Sequence, residues 1–371
     1  MSLEILGMGT AFPPRALTQV EAARASATTQ ALEVDERRRT LALYRRSGVE
    51  TRRSVLLDPE ESISSSLERF YTPRSRESDS GPTTRQRMEV YEREAGALVT
   101  RAAALALADA AVSSSRITHL VTVSCTGFSS PGIEHFLIRS LDLSPAVARV
   151  HVGFMGCHGA FNALRVAEAF CAANPGTLVL LAAVELCTLH FSYSGDPEKE
   201  VANALFGDGA AAVICGHGGK RGGQGGRENP EPWQAVSFGS CILPRSERDM
   251  TWRIGDNGFE MTLSPRVPER LQESLRPWLE PWLAREGCPL ESIKSWAIHP
   301  GGPRILSAIE ASLGLPPDAT EVSREVLSDV GNCSSPTVLC ILDRLRQRRS
   351  PRPCVALGFG PGLSAEAVLF R

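Results

Sequence analysis

Apolar positions return along this chain in two rhythms. From Arg87 to Ala111 they recur every third or fourth residue, the period of a helix with one buried face. The apolar run Ile117–Cys125 follows and stops at Thr126-Gly127, which reads as a buried strand. The succession then repeats: Val267–Glu286 is helical in pattern, and Ile293–His299 is an apolar strand closed by Pro300-Gly301-Gly302. Each half ends in short apolar strands joined by Gly-rich turns, Leu205–Cys215 and Cys354–Phe370. Strands alternating with helices predict a mainly parallel sheet, and the repetition predicts a duplicated α/β/α/β/α architecture of five layers. Two polar stretches, Thr72–Gln86 and His217–Pro232, read as loops, the second rich in glycine. The chain therefore divides into an N-terminal half, 1–216, a connecting loop, 217–232, and a C-terminal half, 233–371.

Composition narrows the class. The chain has 371 residues, 42% hydrophobic and 22% charged, an ordinary globular balance that excludes disordered or fibrous chains. A net charge of -2 gives no global pull towards nucleic acid or an anionic membrane, so any anionic partner has to be met by a local patch. The ten cysteines form no C-x-x-C pair and no His/Cys cluster at zinc spacing, so no structural metal is expected. Most sit in apolar runs, as buried thiols of a reducing, cytoplasmic protein do. The apolar run Thr177–Val184 ends at Glu185, far short of a membrane span, and the first residues lack the pattern of a signal peptide. A soluble protein that is not exported is the expectation.

Three glycine-rich turns carry candidate chemistry. In Val152–Ala160, Cys157 precedes a helical run beginning near Phe161, where helix amides and the dipole would favour a thiolate. The alternative is a core cysteine at a tight turn. His299 ends an apolar strand before Pro-Gly-Gly, at the edge where α/β sheets bind ligands, and alternatively serves as a satisfied structural histidine. Asn332, in Val330–Pro336, precedes the helical run Thr337–Arg346, where an asparagine ordinarily caps or turns the chain. Together the three residue types suit acyl-thioester condensation. The cysteine accepts an acyl group, and the imidazole and carboxamide stabilise the enolate formed as a malonyl thioester loses carbon dioxide. A carboxylate beside that enolate would oppose the step.

At these residues the chain resembles the type III polyketide synthases, the chalcone-synthase-like family with the thiolase fold. The resemblance is carried by Gly156-Cys157 and its helix, Asn203–Ala212 (NALFGDGAAA), Trp296–Leu306 (WAIHPGGPRIL), Gly331–Leu342 (GNCSSPTVLCIL) and Gly358–Leu363 (GFGPGL), with weaker matches at Tyr44–Arg53 and Arg87–Ala97. It implies a Cys157 nucleophile with His299 and Asn332 as its catalytic partners. It also implies a junction phenylalanine at Phe206, and Met261 where plant enzymes carry a second gate aromatic. Cavity-lining positions fall on Cys125, Cys187, His190 and Trp252, the last where plant enzymes have a small residue. Gly301 and Gly302 beside the histidine, and Pro361 in the Gly-rich loop, complete the substrate-binding set.

For the carrier of the thioester, basic family positions fall on Arg39 and Arg46, while a third falls on the uncharged Ala42. Arg37, Arg38, Arg45, Arg52 and Arg53 lie nearby, either as a solvated face or as a surface for an acidic carrier protein. The resemblance further implies a homodimer, with Ser130 reaching into the neighbouring subunit. Acyl-CoA, malonyl-CoA or carrier-protein thioesters are the expected substrates, with no metal, nicotinamide or prosthetic group. The expected reaction is decarboxylative Claisen condensation onto an aliphatic starter, with closure to an α-pyrone or resorcinol. The rival is a stand-alone ketosynthase that condenses carrier-bound chains, by a single extension or by joining two chains into a pyrone. A second rival is a non-catalytic binding module.

Overall fold

A computed structural model describes residues 2–76, 78–217 and 232–371. The loop expected at 217–232 lies, from 218 to 231, outside the described residues. Nine strands form one sheet. Their order is Ser295–Ile298, Cys354–Gly360, Ser364–Phe370, Trp233–Ile242, Leu3–Ala11, Asp208–Gly216, Leu178–Leu186, His119–Ser124 and Ala148–Gly153. The internal repetition is visible in that order. Leu3–Ala11 and Trp233–Ile242 pair antiparallel at the centre, and outward from each comes an antiparallel strand, then another antiparallel, then a parallel one.

The sheet is mixed, which corrects the expectation of a mainly parallel one. Five of the eight strand pairings are antiparallel. The reason lies in the Gly-rich turns: Pro361–Leu363 is a single 3₁₀ turn between Gly360 and Ser364, far too short for the crossover that a parallel pair requires.

Alternation within strands builds the layers. In the first half Val179, Leu181 and Ala183 face one core and Leu180, Ala182 and Val184 another. In the second half Ala356 and Val368 join the first of these cores, while Val355, Leu357 and Leu369 face a third. The shared core holds helices Gly159–Ala173 and Pro336–Gln347, so two helices lie between the two halves of the sheet and further helices cover each outer side. That is the expected five-layer arrangement.

The long helix Thr84–Ala110 covers one outer side. It starts inside the stretch expected to be loop, because Thr83 and Gln86 close a capping box. A Cβ at Gly7 or Gly9 would come within 2.6 Å of this helix's backbone, so glycine alone permits the close packing of the first strand. Among the described residues no helix is long and apolar enough to cross a membrane.

Candidate active site

Cys157 sits in a 3₁₀ turn, Gly156–His158, that passes directly into helix Gly159–Ala173. Gly156 has φ +72°, and a Cβ there would lie 2.5 Å from Pro361 Cδ, so this glycine lets the Gly358–Leu363 loop close over the cysteine. The thiol is buried. Burial pushes it up to about 11, and hydrogen bonding from Ser334 and Asn332 opposes that rise. Burial thus works against the thiolate expected from the helix end.

His299 follows strand Ser295–Ile298 and is held by its own N–H, which donates to Leu357 O at 2.8 Å. Its ring is buried, and neither ring nitrogen has a hydrogen-bond partner among the described residues. Burial, with a smaller contribution from His158, lowers the imidazole to about 3, so it is neutral at working pH. A buried imidazole without partners is costly unless a ligand supplies them.

Asn332 is not the cap of helix Pro336–Gln347; Ser335 occupies that position. Its Oδ1 instead accepts from Ser334 N at 2.8 Å and faces the Thr337 hydroxyl at 3.5 Å. The acceptor is therefore used within the turn, and the Nδ2 amide is the donor left for Cys157 and a substrate. Cys157, His299 and Asn332 all line one small pocket, closed by Phe206, Met261 and Gly301. Gly302, at φ +139°, precedes the first residue of helix Pro303–Leu313 and sets the turn between His299 and that helix.

Behind the nucleophile opens a cavity of about 730 Å³. Cys125, Cys187, His190, Trp252, Phe206, Met261 and Pro361 all line it. One wall is rigid. Phe259 N donates to His190 Nδ1 at 2.9 Å, so Nε2 carries the proton and donates to Thr126 O at 2.7 Å. Trp252 Nε1 donates to Cys125 O at 2.8 Å. Burial lowers His190 to about 3, as suits an imidazole that must accept at Nδ1.

Several functional side chains escape a reading of sequence alone. Glu185 is fully buried. It accepts from Cys125 N, Thr126 N, the Thr126 hydroxyl and the Ser335 hydroxyl, tying the two halves together below the cysteine. Its signal was the single acid ending the Thr177–Val184 run. A carboxyl group does therefore lie near the site, but these donors occupy its oxygens and burial raises its pKa. Ser334 adopts φ +54°, unusual for a non-glycine residue, and its hydroxyl lies 3.3 Å from Cys125 Sγ.

The chain matches the family model for chalcone and stilbene synthases, the N-terminal domain over residues 2–219 and the C-terminal domain over 235–371. The chain belongs to this family of type III polyketide synthases. It is 31% identical over 372 residues to the alpha-pyrone synthesis polyketide synthase-like Pks18 of Mycobacterium tuberculosis, covering 99% of this chain and 90% of that one. It is 35% identical over 279 residues to the 1,3,6,8-tetrahydroxynaphthalene synthase of Streptomyces peucetius, covering 74% of this chain and 72% of that one. The solved structure of PKS-I from the brown alga Ectocarpus siliculosus superposes with a TM-score of 0.88 at 28% identity, over 100% of this chain and 98% of that one. The fold is thiolase-like, and the synthase is a condensing acyltransferase.

The basic residues of the synthase divide. Arg39 and Arg46 are exposed, on helix Val34–Arg45 and at its C-terminal cap, and neither lines the cavity. Arg52 is buried, which removes it from the surface cluster. Its guanidinium donates to the carbonyls of Asn203 and Ala204 at 2.6 Å and of Phe206 at 3.0 Å, and to Gln19 Oε1.

Proposed function

We propose that this synthase loads an aliphatic acyl group onto Cys157, extends it with malonyl units decarboxylated at His299 and Asn332, and closes the poly-β-keto chain to an α-pyrone or resorcinol. The observation that carries the reading is the shared pocket of Cys157, a neutral imidazole unpartnered among the described residues and a carboxamide whose acceptor is held in its turn and whose amide faces the thiol.

In loading, Cys157 sulfur attacks the thioester carbonyl as its proton passes to the neutral His299 ring. The carrier thiolate leaves and takes that proton back. A malonyl thioester then places its carbonyl oxygen between His299 N–H and Asn332 Nδ2–H. The electron pair of the bond to the departing carbon dioxide becomes an enolate held by those two donors. Its carbon attacks the Cys157 thioester, a carbon–carbon bond forms, and the thiolate of Cys157 is expelled. In the decarboxylation the neutral ring serves as the donor, which agrees with the low pKa of His299. Every step runs on side chains and the substrates' own thioesters, so no metal, nicotinamide or prosthetic group enters.

The exposed arginines of helix Val34–Arg45 support recognition of an anionic carrier, either CoA phosphates or an acidic carrier protein. Strand Ala148–Gly153 is an edge strand, and Phe128, Phe136, Val150 and Met155 stand exposed around it. This face supports a homodimer, with Ser130 on its rim. Ten free cysteines, nine of them buried, support a reducing cytoplasmic setting.

Incubation with malonyl-CoA and a panel of acyl-CoAs, followed by mass analysis of released products, tests the reading. Cyclised products of two or more extensions are expected; a single two-carbon extension without a ring would favour the ketosynthase alternative.

A further inference from the structure

The sulfur of Cys157 bears negative charge twice in the proposed cycle, as it attacks the starter thioester and again when condensation expels it. In the second of these, His299 and Asn332 are turned to the oxygen of the malonyl unit, so neither is free for the sulfur. No Lys or Arg lines the small pocket that the three residues share. A buried anion without a neighbouring cation has to be held by hydrogen bonds.

Ser334 offers one. It is 3% exposed and faces the cavity. Its hydroxyl meets two sulfurs, hydrogen-bonding Cys157 and lying 3.3 Å from Cys125 Sγ. The turn itself does not use that hydroxyl. Ser334 N donates to Asn332 Oδ1 at 2.8 Å, Ser334 O accepts from Thr337 N at 3.1 Å, and the cap position of the following helix belongs to Ser335. A serine ahead of a helix ordinarily spends its side chain on nearby backbone; this one spends it on the nucleophile. Its φ of +54° is a conformation that glycine adopts at less cost, so a side chain is kept here against the local preference of the backbone.

The direction of the bonds follows from Cys125. A hydroxyl has one proton to give and lone pairs to accept with. Burial, with the nearby Glu185 carboxyl, pushes the Cys125 thiol well above its ordinary range, so it keeps its proton and donates to the Ser334 oxygen. Cys125 is itself fixed, its N–H on Glu185 Oε2 at 2.9 Å and its carbonyl on Trp252 Nε1 at 2.8 Å. The Ser334 proton is left for Cys157. Glu185, whose oxygens are taken by backbone and hydroxyl donors, His158 in the same turn and His299 are the other titratable groups packed around the sulfur.

From this arrangement we infer that the Ser334 hydroxyl is the donor that holds the negative charge of the Cys157 sulfur, through a chain running from Cys125 S–H to Ser334 O–H to Cys157 Sγ. The Ser334 proton stays on its oxygen throughout. In loading, the thiol proton passes to His299 while Ser334 O–H points at the sulfur that attacks. In condensation, the electron pair of the breaking carbon–sulfur bond returns to that sulfur, and the same O–H receives it. This inference rests on the proposed use of Cys157 as the acyl carrier and adds what stabilises its sulfur.

The test is the pH profile of Cys157 alkylation by iodoacetamide, read from the mass of the peptide that carries it, in the wild type, Ser334→Ala and Ser334→Gly. Both variants lack the hydroxyl. Alanine keeps a Cβ at the positive φ and glycine relieves it, so a change common to both belongs to the hydroxyl rather than to the backbone, and either variant serves if the other does not fold. The profile is expected to move up by about one pH unit, so that alkylation below its midpoint slows about tenfold, the scale of one hydrogen bond to a charged group. Carbon dioxide release from malonyl-CoA is expected to change far less, because the turn that carries Asn332 does not use the hydroxyl. A wild-type profile in the folded variants, or alkylation and carbon dioxide release slowed by the same factor, would overturn the assignment; the second result would mean that Ser334 only holds the turn. Absence of an acyl adduct on wild-type Cys157 would instead refute the loading reaction and leave the alkylation profile readable, so the two failures are distinguishable.

Discussion

Phe206 and Asn332 form an isolated parallel β-bridge. Asn332 N donates to Leu205 O at 2.9 Å, and Gly207 N donates to Asn332 O at 3.0 Å. The carboxamide proposed to hold the enolate is thus locked, through its backbone, to the residue at the mouth of the cavity. The bridge uses no side chain of Asn332, so a change of that side chain leaves the bridge in place and removes only the acceptor of Ser334 N.

Arg52 holds the other side of this bridge. It caps the C-terminal end of helix Pro197–Leu205 through the carbonyls of Asn203, Ala204 and Phe206. Arg52→Ala leaves these acceptors buried with fewer donors and is expected to cost about 3 kcal/mol, read from the urea unfolding midpoint. Arg52→Lys should recover only part of the loss, because one ammonium cannot reproduce a planar fork that reaches both Phe206 and Gln19. Unchanged stability in Arg52→Ala would contradict the capping role.

Glu185 collects donors from two separate loops, that of Cys125 and Thr126 and that of Ser335. Removing the carboxyl leaves buried N–H and O–H groups unpaired, so Glu185→Ala is expected to destabilise the protein by about 3 kcal/mol or more. Thermal unfolding measures the loss. A variant as stable as the wild type would show that water or rearrangement replaces those bonds.

His299 sets a pH dependence. Its folded-state value of about 3 lies below the ordinary 6.5, so between these values the unfolded chain binds the extra proton. Stability attached to the neutral ring is fully present above pH ~6.5 and falls as the pH drops towards 3. From pH 7 to 5 this amounts to about 2 kcal/mol, at 1.36 kcal/mol per pH unit below the unfolded value. Urea unfolding at the two pH values should show the wild type losing about that much more than His299→Gln. Equal losses would mean the imidazole meets solvent or a partner in the folded state.

Much of the site was legible because its chemistry sits on turns that glycine makes recognisable. Gly156 before Cys157, Gly301-Gly302 after His299 and Gly331 before Asn332 mark places where the chain turns sharply, and the alternation of apolar residues marks the strands that lead into them. Three things were not legible. Strand direction depends on which strands pair, and Leu178–Leu186 looks the same beside a parallel or an antiparallel neighbour. The burial of Cys157, which opposes the effect of the local helix end, comes from residues distant in sequence. Arg52 and Glu185 look like surface charges when read one residue at a time, since their partners, Phe206 and Ser335, come from other segments.

The division of labour between the sulfur and the enolate site has a direct readout. Carbon dioxide release from malonyl-CoA and acyl-adduct mass are to be measured side by side in Cys157→Ala and Asn332→Ala, both checked for folding by circular dichroism. Cys157→Ala is expected to carry no adduct yet still release carbon dioxide. Asn332→Ala is expected to carry the adduct on Cys157 but to lose carbon dioxide release by about 100-fold, the scale of one lost oxyanion donor. Two folded variants that each lose both activities alike, or an adduct that persists on another residue in Cys157→Ala, would contradict the account.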